Sequence, residues 1–303
     1  MGALIRAVVT VAVFVLIFRH VDLGGVGRTL AGADPWLLLP ALLFQLASTT
    51  VAAFRWHRIM AALGLGVGPG SGFTFYLRSY FKGMFFNQAL PTSIGGDALR
   101  MLDVARLGHR KRDAFYGVAV DRGVGLFGLL LVNLAALAAN PHLLPEAATV
   151  PIAVLVTAGV VGFLLLLLAR RVPQVGRWRV LALVHDLSTR LGLVFRDGEA
   201  SAGQVVLAVG IHLLAMVGIF FLGRAVGLGY DLATFLVIVP PAILLTVIPI
   251  SLAGWGVREG AMVGLFTLIG ANKTAVLSMS ILYGLVLIVV SLPGFYVYMS
   301  GKK

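Results

Sequence analysis

The sequence predicts an all-α integral membrane protein, and three observations carry that prediction. Apolar residues make up 59% of the 303 and charged residues only 12%. Long apolar runs recur along the whole chain, giving a mean hydropathy of +1.00. Basic residues collect in the short segments between those runs. A water-soluble domain cannot hide so much apolar surface, whereas helices in lipid need not hide it.

The elements follow in order. Ala7 to Phe18 is apolar, follows Arg6 and looks like a signal peptide. It continues into Arg19-His20-Val21-Asp22 without a small-residue cleavage pattern, so it reads as a short first span. Runs at about 35–54, 114–139, 150–169, 203–223 and 274–298 each approach or exceed the roughly 20 residues that cross a bilayer core. Together these make about six full transmembrane helices. Two further apolar stretches, about 73–90 and 233–250, end at a proline and enter glycine-rich turns.

Loop charge sets the expected orientation. Arg100, Arg106, Arg110, Lys111 and Arg112 fall in 98–113, and six arginines fall in 170–199, so both segments read as cytoplasmic. The loop 140–149 has no Lys or Arg and reads as external, and Lys302-Lys303 place the C-terminus inside. Six full crossings satisfy these assignments if the segments at about 73–100 and 233–271 dip in from opposite sides and return. The expectation is therefore one polytopic domain, 1–303, in the cell inner membrane with both termini cytoplasmic. It has two re-entrant broken-helix segments in an inverted repeat. The linker at about 170–202 has apolar residues at helical spacing and is expected to lie on the cytoplasmic membrane surface.

The two interrupted stretches resemble each other. One reads Leu90-Pro91-Thr92-Ser93-Ile94-Gly95-Gly96-Asp97 with Arg100 following; the other reads Ile248-Pro249-Ile250-Ser251-Leu252-Ala253-Gly254-Trp255-Gly256-Val257-Arg258-Glu259. Proline removes an amide donor and stops the helix, and glycine permits the turn behind it. The freed backbone groups cannot face lipid, so they face protein or a wet cavity. Broken helices at matching places in two halves are a pointer to a transporter's binding site. Gly256, Gly260 and Gly264 recur every four residues and read as a close-packing face.

Arg78, Phe86-Asn87, Leu90-Pro91, Gly95-Gly96-Asp97, Arg100 and Asp121-Arg122, with Pro249-x-Ser251 and Gly254-x-Gly256-x-Arg258-Glu259, together resemble a known family. It is the flippase-like membrane region of lysylphosphatidylglycerol synthetases and their stand-alone relatives, and the likeness runs from about residue 5 to 298. The resemblance implies translocation, of the flippase or scramblase type, of a lipid with an anionic or phosphate-containing head group. Aminoacylated phospholipids and polyprenyl-phosphate-linked lipids are the implied kinds. The chain stops at Lys303, just past its last span, so aminoacyl transfer is not expected of it.

The candidate substrate-binding residues are Arg78, Asn87, Ser93, Asp97, Arg100, Asp121, Arg122, Ser251, Arg258 and Glu259. A charge within a span costs about 2.5–3.5 kcal/mol on insertion scales and needs a reason. Asp121 and Arg122 are adjacent on a helix and cannot face each other. Asp121 is expected to pair with an arginine of the first motif, leaving Arg122 to the head group. Arg258-Glu259 and Asp97-Arg100 are expected to neutralise themselves. Lys82 is expected to snorkel, and Arg78 to reach the site. No catalytic residue, cofactor or metal is expected: the histidines are scattered and there is no nucleotide-binding fingerprint. Expected partners are the lipid substrate and anionic head groups, with a second copy of the chain or a lipid-synthesis enzyme as candidates; nucleic acid is not among them. The competing readings are a membrane enzyme acting on a lipid phosphate and a partner subunit without transport.

Overall fold

A computed structural model describes residues 3–18, 22–66, 70–90, 95–172, 179–248 and 251–301. Among these residues every regular element is helical, as an integral membrane protein of this composition requires. Five helices are long and apolar enough to cross a bilayer: α3 (Pro35–Ala62), α6 (Lys111–Ala139), α7 (Glu146–Leu168), α9 (Gly198–Ala225) and α12 (Lys273–Ser300). The sixth expected span, α1 (Ala3–Phe18), has 16 residues, about 24 Å of helix at 1.5 Å per residue. The remaining helices are α2 (Leu23–Ala31), α4 (Phe73–Ala89), α5 (Gly95–Arg106), α8 (Arg179–Val194), α10 (Leu232–Val247) and α11 (Val257–Thr267).

Several helix starts follow from their capping residues. The carboxylate of Asp34 accepts from the Trp36 amide ahead of Pro35, Asp231 from Thr234, and Asn272 from Ala275. Each satisfies an amide that the helix itself leaves unbonded. Burial then decides what each helix does. Half of the apolar window of α6 is buried, as is half of that of α12, against 11% for α7. Thus α6 and α12 run through the protein interior, and α7 presents its Leu and Val side chains outward.

The two interrupted stretches form helix pairs, α4–α5 and α10–α11. In the first, Gly83 meets Gly96, while Ser79 and Lys82 further back meet Asp103 further on. In the second, Thr246 meets Gly254, Phe235 meets Phe266 edge-on, and Tyr230 donates to the Ile269 carbonyl. In both cases later residues pair with earlier ones, so each pair is an antiparallel hairpin. The turn of the second uses positive φ at Gly254 (82°), Gly256 (83°) and Ala253 (48°). The left-handed region costs a non-glycine residue about 1–2 kcal/mol.

The α4–α5 hairpin packs on the first half of α6: Tyr76 and Val104 share a cluster with Ala114 and Val118. The α10–α11 hairpin packs on the second half, where Phe235 and Phe266 join Ala136 and Leu137. There the Asn133 amide donates to the Leu236 and Val237 carbonyls.

The basic linker forms α8, strapped to the start of α6 by two crossed ion pairs. Arg112 of α6 pairs with Asp186 of α8, and Arg190 of α8 with Asp113 of α6 at 2.5 Å. Tyr116 donates to Asp186 at 3.0 Å, and Arg190 lies 4.1 Å over the Tyr116 ring. Desolvation pushes the Asp186 carboxyl up, but the hydrogen bonds from Tyr116 and Arg112 and the charges of Arg112 and Arg190 outweigh it and hold the group low. A lowered folded pKa means the clasp contributes fully above the ordinary carboxylate value, near 3.9, and fades as pH falls through the lower folded value. Hydrogen-exchange protection of α8, corrected for intrinsic rates, is expected to drop in acid, and Asp186→Asn to show that drop already at neutral pH.

Candidate functional site

The tips of the two hairpins meet at a cavity of about 560 Å³. The first motif contributes Asn87, Gln88 and Asp97; the second contributes Ile243, Thr246, Val247 and Ala253; α3, α6 and α9 close it with Arg55, Asp121, Arg122 and His212. Lys111 and Asp121 are ten residues apart on α6, so the site lies about 15 Å along that helix from its charged end.

An ion network forms one wall. Asp121 is buried and accepts at both oxygens: from Arg55 Nη2 at 2.9 Å and Nε at 3.2 Å, and from Arg100 Nη2 at 2.6 Å. Asp97 takes a bidentate pair from Arg122, 2.8 Å and 3.0 Å, and a weaker contact of 3.3 Å from Arg100. The Arg100 guanidinium also lies 4.0 Å over the Trp56 ring and 4.5 Å over that of Tyr80, so aromatic faces shelter a charge deep in the protein. Three arginines face two aspartates, and one positive charge remains uncompensated within the cluster. Arg55 Nη1 is buried without a hydrogen-bond partner among the described residues, and an unmet donor of this kind costs about 1–3 kcal/mol.

Local sequence explains the placement. Gly83 and Gly96 bring the α4 and α5 backbones into contact, since a Cβ on Gly96 would lie 1.8 Å from the Gly83 carbonyl oxygen. Asn87 accepts from the Gly96 amide at 2.8 Å, serving an otherwise unbonded donor in the first turn of α5. Together these set Asp97 against Arg122. On α6, Gly125 leaves room for the Arg55 head, 3.0 Å from where its Cβ would be, and its carbonyl meets His212 Nε2 at 2.8 Å.

The sequence-derived candidates divide accordingly. Asn87, Asp97, Asp121 and Arg122 line the cavity, and Arg100 stands behind them as their anchor. Asp121 pairs with Arg100 of the first motif, as expected, but Arg122 is itself paired with Asp97. Arg122 remains the reachable cation, its side chain 56% exposed against 5% for Arg55.

Arg258 and Glu259 lie elsewhere, in a closed cluster. Glu259 accepts from Arg258 at 2.6 Å, from the Gly256 amide at 2.6 Å and from Ser280 at 3.1 Å, while Arg258 sits over Trp255 and Tyr283. Ser251 is buried outside the cavity lining. Arg78 lies on the opposite face of α4, and Lys82 is paired with Asp103 at 2.5 Å. Ser93, with Pro91 and Pro249, lies outside the described residues.

Arg55, His212, Tyr80, Gln88 and Thr246 line the cavity and were not singled out from the sequence. The signal for Arg55 was a charge followed by Trp56-His57-Arg58 at the end of an apolar run, which reads as the membrane border. The helix continues to Ala62.

A cation-rich compartment enclosed by apolar helices defines the class: a polytopic helical membrane protein with a polar chamber inside it. The chain belongs to the lysylphosphatidylglycerol synthase TM region family, whose model matches residues 3–294. No curated protein matches it.

Proposed function

We propose that this protein moves a lipid with an anionic or phosphate-containing head group across the bacterial inner membrane. The head group would occupy the cavity between the hairpin tips while its chains stay in lipid. The carrying observation is the surplus positive charge of the Arg55, Arg100, Arg122, Asp97 and Asp121 cluster, with Arg122 reachable and one Arg55 donor unmet. A buried excess charge is costly unless a counter-charge arrives, and the planar arginine fork suits phosphate oxygens. Membership of a lipid-handling membrane family supports the same reading.

We read α4–α5 and α10–α11 as re-entrant segments forming an inverted repeat, with both termini cytoplasmic. Their second helices have 12 and 11 residues, about 18 Å or less at 1.5 Å per residue and too short for a core of about 30 Å. Their antiparallel pairing and their positions on opposite halves of α6 support this. The protein is read as a transporter and not an enzyme, and two half-sites would open alternately to each side.

The test is reconstitution in liposomes with labelled lipids and a membrane-impermeant quencher. The protein is expected to expose inner-leaflet label, and Arg122→Gln to slow that exposure about tenfold, the value of one charge-assisted contact. Equal accessibility with and without protein would end the transport reading.

A further inference from the structure

A second cavity, of about 520 Å³, lies on the other face of α4 and shares no lining residue with the first. Thr74, Arg78, Ser79 and Lys82 of α4 line it, with Asp103 of α5 and Ser300 near the end of α12. Positions 74, 78 and 82 are four apart and stack on one helical face. The buried Asp103 carboxylate is saturated: Ser79 Oγ donates to it at 2.7 Å and Lys82 Nζ at 2.6 Å, with Arg106 3.6 Å away.

Arg78 is exposed and has no ion pair among the described residues. Within the lining, one carboxylate thus stands against two basic side chains, Arg78 and Lys82. The first turn of α4 opens here with Gly72 as a cap that offers no side-chain bond, so the positive end of the helix dipole adds to the field. The carboxyl end of α12 forms the opposite wall, with the Ser300 hydroxyl committed to the Val297 carbonyl.

We propose that this cavity binds a phosphate group, as a site separate from the central chamber. Arg78 supplies a planar pair of donors, Lys82 a compact charge and Thr74 a hydroxyl, a set matched to tetrahedral phosphate oxygens. The volume is far larger than a halide needs and suits a phosphorylated head group. The neighbouring Tyr296 is 74% exposed and is the kind of aromatic that settles at the membrane–water border. A phospholipid head group is therefore the expected source of the phosphate. The site does not depend on transport, since it shares no lining residue with the central chamber.

The experiment titrates the purified full chain with short-chain phosphatidylglycerol and counts bound lipid by native mass spectrometry. Arg78→Gln is expected to weaken one saturable site about tenfold, the loss of one charge-assisted contact. Arg122→Gln is expected to spare that site, and Arg106→Gln, which removes a nearby charge outside the cavity lining, to change it less than about twofold. Competition by inorganic phosphate separates the two sources: displacement assigns the site to soluble phosphate, and no displacement assigns it to lipid. An Arg78→Gln protein that binds like the wild type, or an equal loss in Arg106→Gln, would overturn the proposal. If transport fails but the Arg78-dependent site persists, only the reading of the central chamber falls. Arg78 is exposed and without an ion pair among the described residues, so its substitution does not put the fold at risk.

Discussion

Asp121→Asn is expected to destabilise the protein by about 3–5 kcal/mol, the range found when one partner of a buried ion pair is removed. Among the described residues Asp121 is the only acid in contact with Arg55, and it takes the shorter of the two carboxylate contacts of Arg100. Neutralising it leaves three arginines facing Asp97 alone, two of them almost wholly buried. Thermal unfolding in detergent measures the loss. Adding Arg55→Gln to Asp121→Asn removes the cation that the first change stranded and is expected to restore part of the stability, a coupling a double-mutant cycle reports. Wild-type stability of Asp121→Asn alone would show that the network does not hold α3, α5 and α6 together.

Gly96→Ala is expected to cost about 1–3 kcal/mol, the usual penalty for forcing extra volume into a packed interface. The added methyl would fall 1.8 Å from the Gly83 oxygen, 2.6 Å from its carbonyl carbon and 2.7 Å from Asn87 Oδ1. Two of those three atoms are backbone, so α5 must shift as a unit and carry Asp97 away from Arg122. Transport is expected to fall along with stability. Gly162→Ala on α7 is the control. A Cβ there meets nothing within 4 Å, and an alanine inside a helix gains roughly 0.5–1 kcal/mol over glycine. If the two substitutions behave alike, the close approach of α4 and α5 does not position the site.

The spans were legible because lipid imposes a length and composition that hydropathy reads directly. Asp121 and Arg122 were legible because charges within apolar runs are rare and costly, and Asp97 because it closes the repeated proline-glycine motif. Arg55 was hidden by the same rule: a charge at the end of an apolar run reads as border. Arg78 was displaced by rotation. On α4, Tyr80 and Asn87 lie seven residues apart and face the chamber, while Arg78 and Lys82 lie on the other side of the helix. Sequence spacing gives the stripes but not which one faces inward. One of the expected close-packing glycines was also misplaced. Gly264 of the expected stripe faces open space, and the tight backbone contacts are made by Gly83, Gly96, Gly128 and Gly294. Such contacts depend on which helices cross, and composition does not encode that.

The two motifs are alike in sequence and unlike in connection. Among the described residues, every carboxylate and guanidinium in the central chamber comes from α3, α5 or α6, while α10–α11 brings Ile243, Thr246, Val247 and Ala253. Its own acid and arginine are tied to each other and to Ser280 of α12. Among the described residues, swinging the second hairpin aside would break no ion pair to the chamber, but it would part the Asn133 and Ser280 hydrogen bonds and the apolar packing of Phe235, Ile238 and Phe266. Moving the first hairpin breaks the contacts of Asp97 and Arg100 together. The halves divide the labour unequally, one holding charge and the other setting an apolar wall against it.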